Sequence, residues 1–153
     1  MGSIAPPVEK NRCNCAVLRK ASRRLSQLYD SALAPVGLKS TQFAILVEID
    51  RQAGEPPTLS DLADALVMDQ STIGQNLRPV ERDGLVSLEH DEADRRRRLV
   101  KLTRKGKSLL VAAQPLWNAA QEHFESHFGK QEAADLRAAL LTIARDLTPT
   151  PSP

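Results

Sequence analysis

The sequence predicts a mainly α-helical domain that carries one small β-hairpin. Three observations lead there: apolar residues recur at spacings of three and four through most of the chain, two short runs at 85–89 and 98–102 read as strands, and Pro or Gly interrupts the helical periods. A length of 153 residues with 41% hydrophobic content is enough for one compact core.

Residues 1–10 show no period and contain Pro6 and Pro7, while residues 148–153 alternate with prolines that lack the amide donor a helix needs. Both are read as disordered tails. Leu18, Ala21, Leu25, Leu28 and Ala32 mark one stripe of a long first helix, expected to end near Ala34-Pro35 with Gly37 in the turn. Ser40 is placed to cap a second helix whose apolar side is Phe43, Leu46, Val47 and Ile49, and Gly54, Pro56 and Pro57 stop it. Thr58-Leu59-Ser60-Asp61 has the form of a capping box and opens the short run Leu59, Leu62, Ala63 and Leu66.

After Val67-Met68-Asp69 a polar helix should begin at Gln70 or Ser71 and run to Asp83, where Gly84 ends it. Ile73, Leu77 and Val80 face inward; Ser71, Thr72, Gln75, Asn76 and Arg78 stay outside. Pro79 lies inside this helix, at a cost of up to about 3 kcal/mol in an unadapted one, so a bend or a loosened turn is expected. The strand-like runs Leu85–Glu89 and Arg98–Leu102 flank the charged stretch His90–Arg97 as an antiparallel hairpin would. Two long helices close the chain, one striped by Leu110, Ala113, Trp117, Ala120, Phe124 and His127, the other by Leu136, Leu140, Ile143 and Leu147.

Charge narrows the function classes. The chain has 21 basic and 19 acidic residues, a net of +2, so no overall polycation holds it to nucleic acid, and the placement of charge decides. Cys13 and Cys15 are too few and too close for a disulfide framework, and no charged-then-apolar leader precedes them, which makes a reducing cytoplasm the expected location. Apolar stretches are interrupted well short of the ~20 residues a membrane span needs, so no membrane association is expected.

A short capped helix, a tight turn and a second helix with a polar outer face is the arrangement that carries side chains into the major groove of duplex DNA. Gln75 and Asn76 have amides able to pair bidentately with adenine, Gln70, Ser71 and Thr72 sit near the helix start within reach of base edges or phosphates, and Arg78 suits phosphate or guanine. Polar residues alone would equally make a solvated face. The hairpin that follows shifts the balance, because Arg95, Arg96, Arg97 and Arg98 occupy its tip and returning strand, where they can meet the DNA backbone or the minor groove. Asp91, Glu92 and Asp94 precede them, and an acid so placed can pair with an arginine and shape the loop.

With these residues in place the chain resembles the MarR family of winged helix-turn-helix transcription regulators, from about Cys13 to Leu147. The resemblance rests on Leu62-Ala63, on Ser71-Thr72, on Glu81-Arg82-Asp83-Gly84-Leu85-Val86, and on Asp94-Arg95-Arg96 ahead of Leu102-Thr103-Arg104-Lys105-Gly106. It implies a homodimer reading a pseudo-palindromic operator, with residues 37–103 as the DNA-binding lobe and residues 11–36 and 104–147 as the helical dimerisation region. It also implies that Asp94 and Arg96 are the wing acid and arginine that pair or touch DNA. The apolar stripes of the long terminal helices exceed what a lone lobe could cover, which fits burial against a partner copy. The chain departs from the family at Gly74 and Gln75, where Thr and Arg are common, and at Pro79.

The resemblance further implies a small aromatic or acidic effector, with Arg19, Arg23, Tyr29, Phe43 and Trp117 as candidate ligands, although Phe43 and Trp117 at helical spacing also read as plain core. An oxidant-sensing regulator acting through Cys13 and Cys15 stays open: the start of a helix beside Arg12 and Arg19 is the electropositive setting in which thiolates react. So does a ligand-binding helical dimer with weak DNA binding. His123 and His127 stand four apart but lack a third ligand, so no metal site is read, and no cofactor is implied. Nucleotide-binding glycine loops, zinc-hydrolase His pairs and Ser-His-Asp patterns are absent from the sequence, which argues against an enzyme.

Overall fold

A computed structural model describes residues 11–148. Helix α1 (Asn14–Leu33) leads through a 3₁₀ turn (Ala34–Val36) into α2 (Ser40–Arg51), α3 (Leu59–Leu66) and α4 (Gln70–Arg82). Strands β1 (Val86–His90) and β2 (Arg98–Leu102) follow, then the long helices α5 (Arg104–Phe128) and α6 (Lys130–Asp146). Of the two tails read from the sequence, all but Thr148 lies outside the described residues. No single helix among the described residues is long and apolar enough to cross a membrane.

The core sits where α2, α3, α4 and the hairpin meet the C-terminal end of α1 and the first half of α5. Leu33, Ile45, Leu46, Ile49, Leu62, Ile73 and Val100 are all but inaccessible there. Their 3.6-residue and two-residue periods are what bring them together. The three residues of α4 expected to face inward do so: Ile73, Leu77 and Val80 are buried. Gly84 ends that helix in the left-handed region at φ 75°, and the Leu85 N–H closes back on the Val80 carbonyl at 2.8 Å. The helix continues unbroken through Pro79.

Local caps decide where the helices begin. The residue at the N-cap of α2 is Lys39 rather than Ser40: Gln42 Oε1 accepts the Lys39 N–H at 3.0 Å, and the Ser40 N–H, already inside the helix, donates to Asp30 of α1 at 2.7 Å. A tertiary acceptor has taken over the serine's local role. Burial acts to raise the Asp30 carboxyl, but the Ser40 hydrogen bonds and nearby Lys39 outweigh it and hold the group below its usual range. At α3 the capping box forms as expected. Thr58 Oγ1 accepts the Asp61 N–H at 3.1 Å, and the Asp61 carboxylate accepts the Thr58 N–H and hydroxyl, both at 2.8 Å.

The Thr58 backbone and hydroxyl bonds hold the Asp61 carboxyl below its usual range. A carboxyl depressed in the folded state contributes stability above its unfolded pKa and loses it as pH falls through the folded value. Thr58→Ala is therefore expected to cost about 1 kcal/mol at neutral pH, read from urea unfolding curves. The gap to wild type should narrow in acid as Asp61 protonates; a gap constant with pH would show that the charge plays no part.

The hairpin pairs Val86 with Leu102 through His90 with Arg98. Thr58 adds an antiparallel bridge to Leu99, and the Val100 N–H donates to the Pro57 carbonyl at 2.8 Å, so the hairpin is tied to the entrance of α3. Along α5, Ala113 and Ala120 are buried and Leu110, Trp117 and Phe124 half-buried. His127, assigned to the same stripe from its spacing, is exposed because the last turn of α5 runs past the core. In α6 only Ala133 is buried; Leu141 is 67% exposed, and Leu147, just past the end of the helix, 74%.

Candidate functional site

The turn between α3 and α4 is short and closed by its own backbone, with the Met68 N–H bonded to the Ala63 carbonyl at 2.9 Å. Val67 takes a left-handed conformation there, φ 52°, which costs a residue with a Cβ roughly 1–2 kcal/mol. Ala63, buried, and Leu62 fix α3 in the core, so the turn sets the angle at which α4 leaves it. Gln70, Ser71, Gln75 and Arg78 then form the exposed outer face of α4. Arg78 carries no ion pair among the described residues, and its guanidinium is free for an external partner. Thr72 and Asn76 lie half-buried at the side of this face, and the Asn76 amide donates to the Thr72 carbonyl at 2.9 Å. That donor is turned back on its own helix.

The wing loop is held by its acids. Asp91 Oδ1 accepts the Ala93 N–H at 3.0 Å, and Asp94 Oδ1 accepts the Arg96 N–H at 3.0 Å. The Asp91 N–H meets the Arg97 carbonyl, the Arg97 N–H meets the Asp94 carbonyl, and His90 Nδ1 lies 2.9 Å from the Arg95 carbonyl oxygen. The acid–guanidinium pair of the loop is Asp91 with Arg97, at 3.4 Å. Asp94 and Arg96, the pair that the resemblance implied, meet instead through the Arg96 backbone. Arg95, Arg96 and Arg98 are exposed and carry no ion pair among the described residues. Exposed guanidiniums without an acidic partner are available to a polyanion.

A second feature involves other helices. A cleft of about 400 Å³ opens between α1, α2 and α5, lined by Tyr29, Phe43, Val47, Glu48, Arg51, Leu66 and Trp117 among others. The Trp117 ring stacks on Phe43 with centroids 6.3 Å apart and 24° between planes, and lies 6.3 Å from Tyr29. The Tyr29 hydroxyl donates to Gln121 Oε1, while Arg137 of α6 bonds Glu125 at 3.1 Å. Burial raises the Tyr29 phenol and Glu125 adds to that, with Arg137 opposing. The wall's cation is Arg51, paired loosely with Glu48 at 3.8 Å.

Tyr29, Phe43 and Trp117 are thus brought together as the sequence reading placed them. Arg19 and Arg23 are not at the cleft; at a rise of 1.5 Å per residue they lie about 15 Å and 9 Å up α1 from Tyr29. Arg51 was missed, although the spacing Phe43, Val47, Arg51 puts it on the same face of α2. Cys13 is the N-cap of α1, its Sγ accepting the Ala16 N–H at 3.5 Å, and Cys15 is exposed one residue into the helix; both thiols are free. The rings of His123 and His127 are 4.5 Å apart, and no group of three potential metal ligands occurs among the described residues.

A capped helix, a closed turn, an exposed polar helix and an arginine-tipped hairpin define a winged helix-turn-helix DNA-binding protein. The MarR family's sequence model matches residues 36–97. HosA, a transcriptional regulator of Escherichia coli, is 32% identical over 124 residues, 76% of this chain and 89% of HosA. NicR, an HTH-type transcriptional repressor of Pseudomonas putida, is 32% identical over 131 residues, 86% of this chain and 79% of NicR. The structure of M. tuberculosis MosR in complex with DNA superposes with a TM-score of 0.70 at 35% identity, covering 86% of this chain and 98% of MosR. The chain belongs to the MarR family: it is a DNA-binding transcription regulator and not an enzyme.

Proposed function

We propose that this regulator is a cytoplasmic homodimeric repressor whose hold on a pseudo-palindromic operator is set by a small aromatic acid. The observation that carries the reading is the cleft. Tyr29, Trp117 and the almost fully buried Phe43 line it with aromatic surface that suits a ring, and Arg51 stands on its wall as the partner for a carboxylate. A volume of about 400 Å³ suits a ligand of one or two rings.

Tyr29 and Trp117 belong to the long helices, whereas Phe43 and Leu66 belong to the DNA-binding lobe, so an occupant touches both bodies. Filling the cleft changes how the lobe sits on the scaffold and hence the spacing between two recognition helices, which must match a repeat of the groove. Dimerisation is supported by apolar side chains left open in one copy: Val17 and Leu18 on α1, Leu141 and Ile143 on α6. Repression is supported by the relative NicR, itself a transcriptional repressor.

Trp117 is the chain's single tryptophan, so its fluorescence reports on the cleft directly. Benzoic, phenylacetic and hydroxycinnamic acids should be titrated into protein bound to a labelled promoter fragment from beside its own coding sequence. One class is expected to quench Trp117 and release the DNA with the same midpoint. Arg51→Gln should weaken that ligand about tenfold or more through loss of a charge-assisted bond. Quenching without DNA release, or Arg51→Gln binding the acid as wild type does, would refute the reading.

A further inference from the structure

Among the described residues two glycines lie inside helices, Gly74 in α4 and Gly106 in α5. Gly106 has a reason within the chain, since a Cβ there would sit 2.0 Å from the Leu85 carbonyl oxygen. Gly74 has none. A Cβ at 74 would meet nothing within 4 Å, and its backbone is ordinary right-handed helix. Glycine in a helix interior is nonetheless less stable than alanine. Packing and backbone geometry therefore leave this glycine unexplained, and the space in front of it is open.

Gly74 sits one turn from Gln70 on one side and from Arg78 on the other, at the i−4 and i+4 positions that neighbour it on the helix surface. Both neighbours are exposed and both belong to the outer face presented to DNA. The missing side chain makes a notch between an amide and a guanidinium, floored by backbone with its hydrogen bonds spent inside the helix. Such a floor offers no donor or acceptor to a base edge, but it admits an apolar group. The major groove displays one apolar group, the C5 methyl of thymine.

We propose that Gly74 is a specificity-determining position of the recognition helix, and that its notch receives a thymine methyl while Gln70 and Arg78 contact the flanking base pairs or phosphates. The proposal rests on α4 lying in the major groove, and the test separates the two. A duplex selected by wild-type protein from a randomised library is prepared with thymidine and, in parallel, with deoxyuridine at every thymidine position; wild type and Gly74→Ala are then titrated against both by fluorescence anisotropy.

Wild type should weaken on the uracil duplex. Gly74→Ala should bind the thymine duplex about tenfold more weakly than wild type, because two methyl groups compete for one space, and should recover most of the loss on the uracil duplex, where its own methyl fills the gap. Its Tm should meanwhile rise by about 2–4 °C, since the helix gains a better former. Equal losses on both duplexes, no loss on either, or a lowered Tm would overturn the proposal. Failure of wild type to select any duplex would overturn both the placement of α4 and the notch.

Discussion

An Arg95→Ala/Arg96→Ala chain is expected to lose DNA affinity on the order of a hundredfold at low salt, two charge-assisted contacts' worth, and to show a shallower salt dependence. Neither guanidinium has an ion-pair partner among the described residues, so both are available to phosphate. Each phosphate neutralised releases condensed counterions, and the slope of log K against log salt should fall by about 2 per wing when two such contacts vanish. The loop itself should survive. The Arg95 carbonyl near His90 and the Arg96 N–H bonded to Asp94 are backbone groups that alanine keeps. Arg97→Ala is the informative contrast, because that guanidinium is spent on Asp91 and its loss loosens the loop rather than removing a free charge. Anisotropy titrations across a potassium chloride series check both variants. An unchanged slope for the double variant would remove the wing from the DNA contact.

What the sequence discloses about this surface is what local spacing controls. Ile73, Leu77 and Val80 are buried because a 3.6-residue repeat admits one inward face, and Thr58 with Asp61 cap α3 because both partners lie within four residues. The hairpin is legible from strands flanking a charged loop. Where a long-range partner competes with a local one, spacing misleads. Ser40 looks like a cap until Asp30, ten residues earlier, takes its N–H. Asp94 looks like the acid for an arginine until the loop's own backbone claims it and leaves Asp91 for Arg97. At the cleft, Tyr29, Phe43 and Trp117 follow from the resemblance to the family, and of the three only Phe43 and Trp117 also lie on the apolar stripes read from spacing. Its cation is less legible: spacing puts Arg51 on the Phe43 face of α2, but Arg19 and Arg23 are as basic, and the crossing of α1 and α2 decides which of them meets the aromatic rings.

Gly106→Ala is the substitution for which a neighbour distant in sequence has the largest consequence for stability. Helix α5 begins straight after β2, with Thr103 at its N-cap. The Thr103 hydroxyl accepts the Gly106 N–H at 3.0 Å and donates to the Gly84 carbonyl at 2.6 Å, and its own N–H donates to the Leu85 carbonyl at 3.0 Å. Lys105 reaches the Asp83 carbonyl at 2.7 Å. The end of the recognition helix is thereby sewn to the start of the scaffold helix, and the backbone of Leu85 passes directly over Gly106. An alanine methyl would lie 2.0 Å from the Leu85 oxygen and 3.3 Å from a methyl of Leu102. That oxygen cannot retreat without giving up the Thr103 bond, so the strain falls on the junction between α4, the hairpin and α5. Overpacking against backbone together with a lost hydrogen bond should cost about 3 kcal/mol, a fall in Tm of about 6–12 °C for a chain of this size, measurable by thermal or urea unfolding. The same Gly→Ala change at position 74 is expected to raise Tm, so the pair of variants separates a glycine required by the fold from one required by a partner. A Gly106→Ala chain as stable as wild type would mean that Leu85 can move, and that the junction does not fix the recognition helix to the scaffold.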